Sequence, residues 1–268
     1  MSYWREKVVV VTGASSGLGR VLAETWAAAG AHVVLAARGA ETLEATAGEI
    51  RGNHVTQVLA VPTDVTNDDD VAGLIDRTIE RFGRLDVLVN NAGRSMRRAI
   101  QDTTPSDFRE QFELNTIAAV RATRFALPHL LATHGHVVNI ASLAGKAPAR
   151  YMGAYGPSKA ALVSYTQQLR LELGPQGLHV LLVCPGPIAR DEPRTYTAEE
   201  LAGLPAAAAK PGAGVKTRSI EASWLAKKIV LACEHRRPEL VAPALARPLL
   251  AMLQLSPRLG DVVLRWFG

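Results

Sequence analysis

The chain has 268 residues, of which 48% are hydrophobic and 21% charged, with a formal net charge of +5 and two cysteines. That composition excludes a disordered chain and a disulfide scaffold, and it leaves room for one large α/β domain or two small ones. The charge is modest and spread out; it suits an anionic ligand or a membrane surface and carries no nucleic-acid signature.

The start, MSYWREKVVVV, holds no long apolar stretch ahead of its first strand-like run, so no secretory signal is expected. KVVVVTG reads as a buried strand, followed by a helical stretch from Leu18 to about Ala29. AHVVLAA predicts the second strand and ETLEATAGEIRG the next helix. HVTQVLAVPTD gives a third strand, with a helix over DDDVAGLIDRTIERFG. LDVLVNNAG gives a fourth, followed by a long helical region to about Thr133. GHVVNIAS and LHVLLVCPG give the fifth and sixth, separated by a helix containing Tyr155. Repeated βα wiring forces parallel strands with helices on both faces, so residues 1–268 are expected to form a single doubly wound α/β domain.

The pattern weakens after Pro187. Residues 188–220 are rich in Ala, Gly, Pro and Thr and directly follow a strand's carboxyl end, where open α/β sheets bind ligands. They read as a substrate lid, with an ordinary surface insertion as the alternative. HRRPELVAP predicts a seventh strand, and residues 244–268 a helical tail in which Ser256 and Pro257 start a helix. Leu259, Val262, Val263, Trp266 and Phe267 form its apolar stripe, with Arg258, Asp261 and Arg265 largely on another face. Such a helix docks on the body or on a partner subunit, or lies in a membrane interface. Cys184 and Cys233 lack metal-ligand spacing and argue against a disulfide framework, so a reducing compartment, and hence the cytoplasm, is expected. No run of about 18 apolar residues predicts a spanning helix.

Three short stretches bear chemistry. VTGASSGLG places Gly13, Gly17 and Gly19 between a strand and a helix, where glycine lets backbone N–H groups approach a pyrophosphate. VVLAARGAETL has Ala37 and Arg38 at the end of the second strand, where an acidic residue would favour a ribose 2′-hydroxyl. Arginine there suits a 2′-phosphate, or simply shields the next helix. YGPSKAALVSY puts the phenol of Tyr155 and the ammonium of Lys159 one helical turn apart. A neighbouring cation lowers a phenol's pKa from about 10, which would make a proton donor and acceptor; a plain surface helix is the bland alternative.

Taken with NNAG at Asn90–Gly93, Asn115, Ser142 and the PGP after the sixth strand, these motifs resemble the short-chain dehydrogenase/reductase family over about Lys7 to Val241. The resemblance implies a Rossmann fold and a nicotinamide cofactor, NADP(H) in preference to NAD(H) by the Ala37–Arg38 pattern. It implies cofactor contacts at Gly13, Ser15, Ser16, Gly17, Leu18, Gly19, Arg38, Asp64, Val65, Asn91, Ala92, Gly93, Tyr155, Lys159, Pro185, Gly186 and Ile188. Asp64 would meet the adenine, and Ile188 the carboxamide. Arg190 stands where the family often has Thr, which puts a hydroxyl contact with the phosphates in doubt. Tyr155 would exchange a proton with the substrate oxygen, Ser142 would position that oxygen, Lys159 would lower the phenol pKa, and Asn115 would hold a water leading to solvent. No metal is required, since the cofactor carries the redox chemistry.

The implied substrate is a small-molecule carbonyl or secondary alcohol, apolar by the lid and tail. A homo-oligomer, dimer or tetramer, is implied, with peripheral membrane contact through the last helix as an option. Two other readings are an NADPH-binding regulatory or scaffold protein, which would have no need of the Ser–Tyr–Lys–Asn set, and a sugar-nucleotide epimerase. The glycine spacing and the absence of a large C-terminal substrate domain weigh against the epimerase.

Overall fold

The computed structural model describes residues 2–189, 195–214 and 218–267. β1 (Val8–Thr12) leads through α1 (Gly17–Ala28) to β2 (His32–Ala37), and α2 (Ala40–Asn53) leads on to β3 (Val58–Pro62). The chain then crosses back through α3 (Asp68–Phe82) to β4 (Val87–Asn90) on the other side of β1. α4 (Pro105–Phe112) and α5 (Ala118–Ala132) precede β5 (His136–Ile140); α6 (Tyr155–Leu173) precedes β6 (His179–Pro185). After α7 (Ala198–Leu201) and α8 (Ala222–Glu234), β7 (Glu239–Ala242) closes the sheet, followed by α9 (Ala246–Leu255) and α10 (Pro257–Phe267). All seven strands are parallel, in the order β3-β2-β1-β4-β5-β6-β7. The order reverses between β1 and β4, and a crevice opens there beyond the strands' carboxyl ends.

The unbroken apolar run in β1 is explained by burial on both faces. Val9 and Val11 pack with Leu22 and Trp26 of α1 and with Leu225 and Ile229 of α8. Val8 and Val10 face the other way, onto Leu74 and Ile75 of α3 and Ala126 and Leu130 of α5. Local signals set the helix ends. Asn67 accepts from the N–H groups of Asp69 (2.8 Å) and Asp70 (3.1 Å), and Gly83 ends α3 in the left-handed region.

The long helical region expected before Thr133 is divided. A 3₁₀ turn at Ile100–Asp102 precedes α4, which Thr104 and Asp107 start with a capping box ahead of Pro105. A π-turn, Glu113–Ile117, then separates α4 from α5. The helix bearing the phenol begins at Tyr155 itself, which puts Pro157 in its first turn, where the missing N–H is harmless.

Two peripheral segments have defined attachments. Residues 188–220 leave and rejoin the body at one bridge: the Ala189 N–H donates to the Ile220 carbonyl (2.8 Å), and the Ile220 N–H to the Pro187 carbonyl (2.7 Å). In the tail, Ala246 and Leu250 of α9 pack on a core cluster containing Leu182 and Val241, and α10 turns back so that Gly260 meets Leu253. The Ser256 hydroxyl accepts from the Leu259 N–H at 3.5 Å, as its cap position predicts. Leu245, Leu255, Leu259 and Val262 remain exposed; the side chains of Val263, Arg265, Trp266 and Phe267 lie outside the described set. Among the described residues no helix is long and apolar enough to cross a membrane.

Candidate active site

The turn after β1 is shaped for an anion. Gly17 has φ +50, with open space where a side chain would be, and Gly19 approaches the turn so closely that a Cβ would lie 2.1 Å from the Gly13 carbonyl oxygen. Ser16 caps α1 without a side-chain hydrogen bond, and no acidic residue occupies the first turn. The first helix N–H groups therefore have no side-chain cap, and with the positive end of the helix behind them they could hold an anion. Ser15 and Leu18 border the same turn, half-buried.

Thr12, at the carboxyl end of β1, fixes this turn to the end of β4. Its hydroxyl donates to the Val89 carbonyl (3.2 Å) and accepts from the N–H groups of Asn91 (3.0 Å) and Ala92 (3.1 Å). The Asn91 amide returns to the carbonyls of Thr12 (2.9 Å) and Gly13 (3.3 Å). Asn90 instead points into the core, donating to Asn139 Oδ1 (2.8 Å) and Thr123 Oγ1 (3.1 Å). Ala92 and Val65 line a small recess with Thr12 and Ala118. Arg38 is exposed beyond β2. The Thr66 hydroxyl and N–H hold the Asp64 carboxyl below the usual carboxylate range, and the charges of Arg38 and Arg121 add to this.

The second group gathers at the start of α6. Tyr155 is half-buried in the first turn and Lys159 is 4% exposed one turn on. Lys159 Nζ donates to the Ile140 carbonyl at 2.8 Å, and burial lowers its pKa to about 8. Ser142, just past β5, caps a short turn (Leu143–Gly145) by accepting from the Ala144 N–H at 3.1 Å; its hydroxyl proton can still be donated. That turn lies directly on α6, because a Cβ at Gly145 would sit 2.7 Å from the Lys159 carbonyl.

Asn115 occupies the π-turn, a departure that recurs at functional positions in helices. Its amide donates towards the Arg94 carbonyl (3.1 Å), Gln111 Oε1 (3.0 Å) and Ser158 Oγ (3.2 Å), while its Oδ1 accepts from the Arg94 N–H (2.9 Å). Ser158 in turn donates to the Tyr155 carbonyl (2.8 Å). Asn115 and Lys159 both border Gly93, where a Cβ would lie 2.7 Å from Asn115 Oδ1 and 3.3 Å from Lys159 Nζ. Pro185 ends β6, and the Gly186 N–H donates to the Ala242 carbonyl (2.7 Å), which leads Ile188 into its bridge. Arg190 lies outside the described residues.

A family model described as short chain dehydrogenase matches residues 7–200. The chain belongs to the short-chain dehydrogenase family. This dehydrogenase is 32% identical over 266 residues to ketoacyl reductase HetN of Nostoc sp., covering 98% of this chain and 89% of that one. It is 42% identical over 183 residues to 11-beta-hydroxysteroid dehydrogenase A of Sesamum indicum, covering 67% of this chain and 52% of the sesame protein. Among solved structures it resembles a short-chain dehydrogenase/reductase from Burkholderia phymatum in complex with NAD (TM-score 0.83, 27% identity, 97% and 96% of the two chains). It also resembles L-sorbose reductase from Gluconobacter frateurii complexed with NADPH and L-sorbose (TM-score 0.79, 27% identity, 90% and 97%).

The dehydrogenase is thus an oxidoreductase with a nicotinamide cofactor, and the glycine turn, the bare α1 terminus and the crevice between β1 and β4 fit a dinucleotide. Of the two solved structures, one is in complex with NAD and the other with NADPH. Sequence reasoning passed over Thr12, Gln111, Ser158 and Arg97. Gln111 stands four residues before Asn115, and Ser158 three after Tyr155, so spacing along their helices held a signal for those two.

Proposed function

We propose that this dehydrogenase is an NADP(H)-dependent reductase of carbonyl compounds, ketones above all, or in reverse a dehydrogenase of the corresponding secondary alcohols, with Tyr155 as the acid and base. The observation that carries this reading is the half-buried phenol one turn from a buried ammonium, with the Ser142 turn laid on the same helix. The bound nicotinamide supplies or accepts the hydride. Tyr155 Oη gives its proton to the carbonyl oxygen and regains one from solvent. The Ser142 hydroxyl donates to that same oxygen and holds it in place. Lys159, pinned by the Ile140 carbonyl, keeps a positive charge near the phenol and favours the phenolate. Asn115 fixes the Arg94 loop against α6 beside Lys159, and a water held at this π-turn would return the proton.

Arg38 supports the NADP(H) preference: it is an exposed guanidinium where an acidic residue would repel a 2′-phosphate. The segment 188–220 serves as the substrate lid, and its Leu201, Leu204, Pro205 and Ala206–Ala209 suit a substrate with an apolar body. The exposed leucines of the tail suit a partner subunit or a lipid surface in the cytoplasm.

The test is loss of NADPH absorbance, and separately NADH absorbance, with a panel of aliphatic, aromatic and steroid-like ketones and aldehydes. Faster oxidation of NADPH is expected. Faster oxidation of NADH would overturn the cofactor preference, and no oxidation of either across the panel would count against a carbonyl reductase.

A further inference from the structure

One guanidinium lies inside the protein between the Tyr155 region and the lid. Arg97 sits on the loop leaving β4 and is 3% exposed. That loop is fixed beside the residues that lead into Tyr155: the Arg98 N–H donates to the Tyr151 carbonyl (3.1 Å), and the Gly153 N–H to the Arg98 carbonyl (3.1 Å). From there the Arg97 side chain reaches into the lid. Its Nε donates to the Ala208 carbonyl (2.7 Å) and Nη2 to the Lys210 carbonyl (3.3 Å), while Nη1 donates to the carbonyl of neighbouring Met96 (3.0 Å). The guanidinium carbon stands 4.5 Å from the centre of the Tyr196 ring. Along the same seam Ser95 Oγ and the Tyr196 hydroxyl are 3.2 Å apart, and Arg94 and Glu200 form an ion pair at 3.4 Å.

A buried cation is costly unless it is paired or well hydrogen-bonded. Among the described residues no carboxylate forms an ion pair with Arg97. Burial works against its charge, and Tyr196, Tyr155 and Glu200 favour it from nearby. Its direct partners are main-chain carbonyls and an aromatic face, most of them in the lid. The lid's own apolar burial is modest: Ala206, Ala207 and Ala209 are exposed, Leu201 and Leu204 are half-buried, and the small Ala208 and Ala213 are buried. The guanidinium therefore contributes to lid closure what a small apolar core cannot.

We propose that Arg97 is a positioning residue: it latches the segment from Tyr196 to Lys210 over the substrate side of Tyr155, and so sets substrate affinity without touching the cofactor. The proposal rests on the reading of Tyr155 given above. Because the latch uses carbonyls, removing Arg97 strands no buried charge, and Glu200 keeps Arg94.

The experiment compares wild type, Arg97→Ala and Arg97→Lys as full chains, by amide hydrogen exchange, NADPH affinity and steady-state kinetics with the ketone turned over best. Exchange across residues 196–210 should rise about tenfold or more in both variants, the weight of one charge-assisted hydrogen bond, with the sheet unchanged. KM should rise by about tenfold with a smaller fall in kcat, and NADPH affinity should stay within about twofold. Millimolar methylguanidine should restore part of the KM in Arg97→Ala. Unchanged lid exchange, or faster lid exchange with an unchanged KM, would overturn the latch. If Arg97→Ala also loses protection in the sheet, Arg97→Lys alone decides, by whether its faster exchange is confined to the lid. A wild type that turned over no carbonyl would remove the Tyr155 reading, and lid exchange would still decide the latch.

Discussion

Lys159 and Ile140 are joined by a hydrogen bond from the buried ammonium to the last carbonyl of β5, 2.8 Å long. The bond ties the start of α6 to the sheet and holds the cation at a fixed place relative to Tyr155. Burial lowers the lysine pKa to about 8, so its charge is present at neutral pH and is lost as pH rises through that value. Since kcat/KM reports the free enzyme, it should decline above about pH 8 in wild type. Lys159→Met should lower kcat by about 10²-fold or more and remove that limb of the profile. A variant that kept the limb would assign it to another group.

Arg38 should separate the two cofactors. Arg38→Ala is expected to weaken NADPH binding by about tenfold to a hundredfold, the loss of one or two charge-assisted hydrogen bonds to a phosphate. NADH binding should change by less than about twofold. Fluorescence titration with both cofactors measures this, and equal losses would defeat the assignment.

Gly17 and Gly19 should respond differently to alanine. At Gly17 a methyl meets open space and the cost is the positive φ, about 1–2 kcal/mol. At Gly19 it would collide with the Gly13 carbonyl and the Asn91 amide, which must displace the turn. Gly19→Ala should therefore lose dinucleotide binding outright, while Gly17→Ala retains a folded sheet with weaker binding. Calorimetric titration and thermal melts of both variants check the order.

His136 and His179 should make the fold acid-sensitive. The Tyr3 hydroxyl lies 3.2 Å from His136 Nε2, the two Nδ1 atoms are 2.8 Å apart, and His179 Nε2 lies 2.8 Å from the Arg237 carbonyl. That carbonyl can only accept, so His179 Nε2 carries a proton; burial favours the neutral form of both rings, and with both neutral the His179 Nδ1 accepts from His136. Cys233 brings a third ligand atom close, all within 4.8 Å, but the ring nitrogens are already engaged in this chain. The pair lies at the amino ends of β5 and β6, away from the candidate site.

Burial is the main cause that lowers the two pKa values, to about 3 for His136 and about 4 for His179. In the unfolded chain both would titrate near 6.5. Below that pH the unfolded state binds more protons, so stability is complete above about pH 6.5 and falls as pH drops towards 4, by at most about 1.4 kcal/mol per pH unit for each ring. Urea unfolding at pH 7.5 and pH 5 should show the loss, and His136→Gln with His179→Gln should reduce it. An equal loss in the double variant would place the sensitivity elsewhere.

The seven strands were legible because parallel strands buried on both faces read as continuous valine-rich runs, as in Val8–Val11 and His179–Pro185. The glycine turn and the Tyr155–Lys159 spacing were legible because each depends on short-range geometry. The π-turn at Asn115 was not, since apolar periodicity over a helix does not distinguish one widened turn. Thr12 read as part of the first strand, although its hydroxyl holds the single loop after β4 through the N–H groups of Asn91 and Ala92, 79 and 80 positions away. Arg97, on the loop between Arg94 and Arg98, drew no sequence reading. Its burial depends on carbonyls more than a hundred residues later, such as that of Ala208, 111 positions on, and no local pattern carries that information.

The most direct measurement is turnover by Tyr155→Phe beside wild type, with NADPH and the best ketone, together with NADPH affinity for both proteins. The account predicts that the variant loses turnover by about 10³-fold or more while binding NADPH within a few-fold of wild type, because only the phenol hydroxyl that exchanges the proton has been removed. Turnover retained in a variant that still binds NADPH would contradict the role of Tyr155 and, with it, the mechanism built on this site.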